Sequence, residues 1–182
     1  MQFEPTSEQR LLADGAARFV REHYAFPSRA RLLDSDTGFS RAHWASFADM
    51  GWLGLAIPEA DGGYGGSMAD VALLLEAFGR GLVLEPFAST AVTAAHALVA
   101  GTGPLRTRII GRIVAGEAIV ALAACEPRGR FDPAHVATSA RRAGGGWRLD
   151  GCKQLVLGGA AADCYVVSAR IAGAVTDRDG IG

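Results

Sequence analysis

Cysteine is scarce. Cys125, Cys152 and Cys164 are the three cysteines among 182 residues, and no two form a C-x-x-C pair. An odd, unpaired set argues against a disulfide framework and suits a reducing compartment. An excess of one charge is missing too: 18 Lys and Arg stand against 19 Asp and Glu, a net charge of -1. That argues against a nucleic-acid partner, whose binders are normally basic. No apolar run reaches the ~18 residues of a membrane span, and the start, MQFEPTSEQR, lacks the basic-then-apolar order of a signal peptide. The expectation is a cytoplasmic protein with no membrane partner. The four histidines, His23, His43, His96 and His135, show no metal-ligand spacing and read as surface or capping residues. No G-x-S-x-G nucleophile motif is present.

Hydrophobic residues make up 49% and charged residues 20%, enough for a sizeable core. The first part reads as helices. Thr6 and Gln9 have capping-box spacing. Leu11, Leu12, Ala16, Phe19, Val20 and Tyr24 then recur at helical period, and Pro27 ends that run. A second helix starts at Ser40 with Trp44, Phe47 and Ala48 on one face. Ser67 caps a third, with Val71, Leu74, Leu75 and Phe78 as its buried stripe. Pro86 opens a fourth. Pro104 begins a fifth, carrying Leu105, Ile109, Ile110 and Ile113 between the arginines 106, 108 and 112 of a solvated face.

The pattern changes near Gly116. Ala118–Cys125 is apolar without helical spacing, and His135–Ala143 and Trp147–Asp150 fit strands around a glycine hairpin at 144–146. Leu155–Leu157 and Cys164–Ala169 complete the series. The fold class expected is therefore α+β: a helical bundle over 1–116, then an incomplete antiparallel β-barrel over 117–182. The last strand, near Val166, would keep an unpaired edge. Such an edge implies cover from another chain or a longer polypeptide.

The loop Asp61-Gly62-Gly63-Tyr64-Gly65-Gly66-Ser67 suggests a phosphate cradle but matches neither dinucleotide nor P-loop spacing, and reads as a tight inter-helix loop. Two stretches are more specific. One is Gly51-Trp52-Leu53-Gly54-Leu55-Ala56-Ile57-Pro58-Glu59 with its glycine loop. The other runs from Cys125-Glu126-Pro127 through Asp132 and Thr138 to Gly146-Trp147-Arg148-Leu149-Asp150-Gly151-Cys152-Lys153. Their order and spacing resemble the acyl-CoA dehydrogenase family over essentially the whole chain. Members of that family are about twice this long and end in a C-terminal helical bundle.

The resemblance implies FAD-linked α,β-dehydrogenation of an acyl-CoA, with the hydride passing to the flavin and a base from the C-terminal bundle. No residue here takes that catalytic role. Glu59, Glu76, Glu85 and Glu117 read as caps or surface charges, so this length of chain alone is expected to be inactive. By motif position, the implied cofactor-binding residues are Leu122, Ala124 and Cys125 on a strand facing the flavin ring, Phe131 and Asp132 near its pyrophosphate, and Leu155, Leu157 and Gly158 at its edge. The family pattern has Thr, Ser, Trp, Thr and Asn where Cys125, Phe131, Leu155, Leu157 and Gly158 stand. The helix after Glu85-Pro86 implies acyl-lining positions Phe87, Ser89, Thr90 and Thr93.

The run Glu126–Thr138, with Val156–Asp163 and Ser168-Ala169-Arg170, is similar to the small subunit of pimeloyl-CoA-type dehydrogenases. Those pair with a larger homologous subunit and act on dicarboxylic or steroid side-chain acyl-CoAs. The subgroup implies an α2β2 heterotetramer in fatty-acid or steroid side-chain degradation, with FAD weak or absent in this chain. Two other readings stand beside it: a non-catalytic scaffold subunit, and a helical interaction module.

Overall fold

A computed structural model describes residues 4–182. Six α-helices form the first part: α1 (Ser7–His23), α2 (Phe26–Leu33), α3 (Arg41–Asp49), α4 (Met68–Gly81), α5 (Ala95–Val99) and α6 (Pro104–Val114). The caps expected from sequence form. Thr6 and Gln9 close a capping box on α1, Ser40 accepts from the His43 amide at the start of α3, and Ser67 with Asp70 closes a second box on α4.

Several local expectations change. Pro27 does not simply end a helix; α1 stops at His23, and Pro27 sits in the first turn of α2, where its missing N–H has no helical partner to lose. The helix expected after Pro86 winds as a π-helix over Ala88–Ala94 before α5. There Ser89 donates to the Pro86 carbonyl and Thr93 to the Ser89 carbonyl, and such back-bonds compete with the regular ladder. Leu75, expected on the buried stripe of α4, is exposed, because it lies off the Val71–Leu74–Phe78 line, and Leu11 and Leu105 of the helically spaced runs are exposed too. Arg106 is not part of a solvated face, since it forms a bidentate pair with Asp61 at 2.6 Å on both arms.

The core lies in two clusters. Phe19, Trp44, Phe47, Trp52, Phe78 and Phe87 gather where α1, α3 and α4 meet, with Phe47 stacked on Phe78 at 4.9 Å. Ile57, Ala94, Ile110, Ile113 and Val120 join α5, α6 and the first strand.

Four strands follow: β1 (Val120–Ala123), β2 (Ser139–Ala143), β3 (Gly146–Asp150) and β4 (Cys164–Val167). The class is α+β with no closed barrel among the described residues. The antiparallel expectation holds for β2–β3, but β1 and β4 pair in parallel, Val120 opposite Cys164. The chain between them leaves as the β2–β3 hairpin and re-enters in the direction of β1, as a crossover must. Gly144 and Gly145 both have positive φ, as a two-residue type I′ hairpin requires. Leu155–Leu157 is irregular backbone leading into a turn rather than a strand, because Leu155 at φ +51 breaks extended backbone.

Candidate functional site

β1 is tied down from both sides. The Thr90 hydroxyl, fully buried, donates to the Val120 carbonyl at 2.9 Å and accepts from the Val120 amide at 3.2 Å. Asp163 accepts from the Ile119 amide at 2.7 Å and from both arms of Arg41. The Arg41 guanidinium holds the Asp163 carboxyl below its ordinary range, with burial opposing and the Ile119 amide adding.

Just past β1 lies a buried ion pair. Glu126 Oε1 accepts from Lys153 Nζ at 2.7 Å and from the Thr138 amide at 2.9 Å, and Oε2 accepts from the Ala137 amide at 2.7 Å. Lys153 also donates to the Ala124 carbonyl and the Ser168 hydroxyl. Burial pushes Glu126 up, but the Lys153 ammonium and the two amides outweigh it and hold the carboxyl at about 2. A carboxylate so acidic is a fixed anion, too weak to serve as a base near neutral pH. Arg170, also buried, donates to the Ala134, Val136, Val175 and Asp179 carbonyls and binds the last loop to the irregular segment before β2.

The pair fastens β1 to the turn that follows β3. Leu122 is half-buried on β1, the Ala124 carbonyl takes the lysine, and the Cys125 carbonyl accepts from the Gln154 amide at 2.9 Å. Leu155 and Leu157 thus come close to the end of β1 while staying 65% and 74% exposed. Leu155 holds φ +51, a conformation that costs a branched residue about 1–3 kcal/mol. Gly158 has φ +70, and a Cβ there would meet Ser89 Oγ at 2.4 Å, so this turn packs on the π-helix. Phe131 is 78% exposed. The hydrogen bonds of Asp132 stay within its own turn, to Gly129, Ala134 and His135. The structure therefore brings residues 122–125 and 155–158 together, while Phe131 and Asp132 project from a separate turn.

Of the four acyl-lining positions, Phe87 lies in the aromatic core and Thr90 is taken up by β1; Ser89 is buried under Gly158, and Thr93 is exposed. The glycine loop at 61–67 spends its amides internally: Gly63, Tyr64, Gly65 and Gly66 donate to Pro58, Gly54, Ile57 and Leu55. That confirms a tight loop and leaves these amides no phosphate to cradle. Glu85 is no surface charge. It is buried, accepting from the Tyr24 hydroxyl and the Ser40 amide, with His43 Nδ1 at 3.4 Å. Burial raises Glu85 and lowers His43, which His23 lowers further.

The family profile "Acyl-CoA dehydrogenase, N-terminal domain" matches residues 6–117. The chain belongs to the acyl-CoA dehydrogenase family. It is 30% identical over 173 residues to the benzylmalonyl-CoA dehydrogenase of Aromatoleum aromaticum, covering 93% of this chain and 45% of that enzyme. Among solved structures, a variant of the Tcur3481-Tcur3483 steroid ACAD superposes with a TM-score of 0.81 at 29% identity, over 96% of this chain and 46% of that one. The ChsE4-ChsE5 complex from Mycobacterium tuberculosis shares the fold, with a TM-score of 0.79 at 24% identity over 93% of this chain and 44% of that one. The chain thus spans under half the length of these relatives.

Acyl-CoA dehydrogenases work through FAD, and the residues here meet only part of that need. Leu155 and Leu157 offer apolar contact but no side-chain hydrogen bond, and neither does Phe131. The side chains at the positions expected to bond the flavin edge therefore do not fit it as this chain stands. Lys153, Arg170 and the Arg41–Asp163 pair carried no sequence signal of their role, because their partners are distant in the chain.

Proposed function

We propose that this chain is the N-terminal part of an acyl-CoA dehydrogenase subunit of the pimeloyl-CoA type, working in the α,β-dehydrogenation of acyl-CoA thioesters beside a larger homologous subunit. The observation that carries this reading is the set of aliphatic and aromatic side chains at 131, 155 and 157, exposed where the family would place flavin donors. A partner supplying the donors and the base would cover that apolar surface and place FAD near the interface of an α2β2 assembly in the cytoplasm. The relatives support the pairing: one is named as a ChsE4-ChsE5 complex, another as a steroid ACAD with two component names. The same residues favour a second reading, a scaffold subunit that completes a partner's site and does no chemistry.

Within the acyl-lining helix, Phe87 and Thr90 would hold the helix in place, Ser89 would back it under Gly158, and Thr93 would face the substrate. The small side chains of Ser89 and Thr93 suit a bulky or carboxylated acyl group. The test of the assembly is co-expression with a candidate large subunit: a yellow heteromer that turns over acyl-CoA supports it. A larger subunit that purifies alone, fully flavinylated and fully active, with no affinity for this chain, counts against it.

A further inference from the structure

The β2–β3 hairpin carries an arrangement that the reading above leaves unused. Its register sets Arg141 directly opposite Arg148, with Ser139 opposite Asp150 on one side and Ala143 opposite Gly146 on the other. Side chains alternate across a sheet, so these six positions share one face, and Arg142 and Trp147 belong to the other. There the Arg142 guanidinium lies over the Trp147 ring at 4.8 Å. Every residue of β3, and Arg141 to Ala143 of β2, is exposed.

Like charges directly opposite each other on a strand pair are destabilising. Arg41, Arg80, Arg106 and Lys153 each pair with a carboxylate, and Arg170 spends its donors on backbone carbonyls. Among the described residues, neither Arg141 nor Arg148 has a carboxylate within ion-pair distance, although Asp150 stands on the same face. Arg141 and Arg148 line a concavity of about 350 Å³ together with Ser139, Ala143 and Asp150, and Arg142 reaches its edge from the other face. Ala143 and Gly146 leave the far side of this face without bulk.

We infer that this face is an anion site in which Arg141 and Arg148 clasp a phosphate group, the ligand class being a phosphomonoester or diphosphate, free or on a nucleotide. Facing guanidinium forks suit a tetrahedral dianion, which each fork can bind bidentately. The ligand would turn the repulsion between the two arginines into shared attraction. Ser139 adds a hydroxyl donor at the rim.

The test is calorimetric titration of the 182-residue chain with inorganic pyrophosphate at low salt, with ADP as a second arm. Saturable binding, weakened tenfold or more by Arg141→Ala or Arg148→Ala and unchanged by Arg18→Ala on α1, is the expected result. Binding should weaken steeply as salt is raised. Arg148→Glu separates binding from folding: a cross-strand pair with Arg141 should raise the thermal midpoint while pyrophosphate binding is lost. Equal loss of pyrophosphate and ADP binding in the arginine variants assigns the contact to the phosphates; ADP binding that survives them overturns it. Absence of saturable pyrophosphate binding, or polyglutamate bound more tightly than pyrophosphate, overturns the inference as well.

Discussion

At the scale of single residues, the Glu126–Lys153 pair decides how the candidate site is held. Removing one partner of a buried pair leaves an uncompensated charge, so Lys153→Met should cost about 3–5 kcal/mol, read by denaturant unfolding. The pH dependence follows from the depressed carboxyl. A group whose folded value is about 2, against 4.5 as the ordinary value, contributes stability that is fully present above about pH 4.5 and lost as pH falls toward 2. In Lys153→Met the acid-unfolding midpoint should move to higher pH, and an unchanged midpoint would show that the pair is energetically idle. Glu85 has the opposite sign. Burial raises it, so its contribution is present below its ordinary range and lost as pH rises through the raised value. Glu85→Gln should therefore flatten the decline of stability between mildly acidic and neutral pH. A steeper decline than in the wild type would contradict that role.

Among elements, the contact between β1 and the π-helix carries the most weight. Thr90→Val keeps the shape but strips the Val120 amide and carbonyl of their buried partner, a loss of about 1–3 kcal/mol. Hydrogen exchange at Val120 should accelerate in that variant; unchanged protection would mean that β4 alone holds the strand. Much of this scale was legible in the sequence. The caps at Thr6, Ser40 and Ser67 are local signals, and the glycine hairpin is another. The π-helix was not legible, because it depends on where Ser89 and Thr93 send their hydroxyl groups. Nor was α2, whose proline reads equally as a stop or a start. The parallel β1–β4 pair depends on a crossover that no local spacing encodes.

For the whole molecule, the family and the α+β class were legible from two long motifs in order, while the electrostatic frame of the site was not. Glu126 and Lys153 stand in those motifs, but nothing in their spacing says that they meet, and Glu85 looks like any other helix-end glutamate until burial is seen. A bulky replacement at Thr93 should shift the chain-length preference of the assembled enzyme toward smaller acyl groups, whereas one at Ser89 would press on the turn at Gly158. An unchanged preference in the Thr93 variant would remove that residue from the acyl site. On the function proposed above, this chain presents an apolar half of a flavin site and needs a partner to complete it. The most direct measurement is titration of the isolated 182-residue chain with FAD, beside the absorbance spectrum of the chain co-purified with a larger homologous subunit. The chain alone should bind FAD weakly or not detectably and the pair should carry bound flavin; micromolar or tighter binding with acyl-CoA turnover by the isolated chain would rule out the need for a partner.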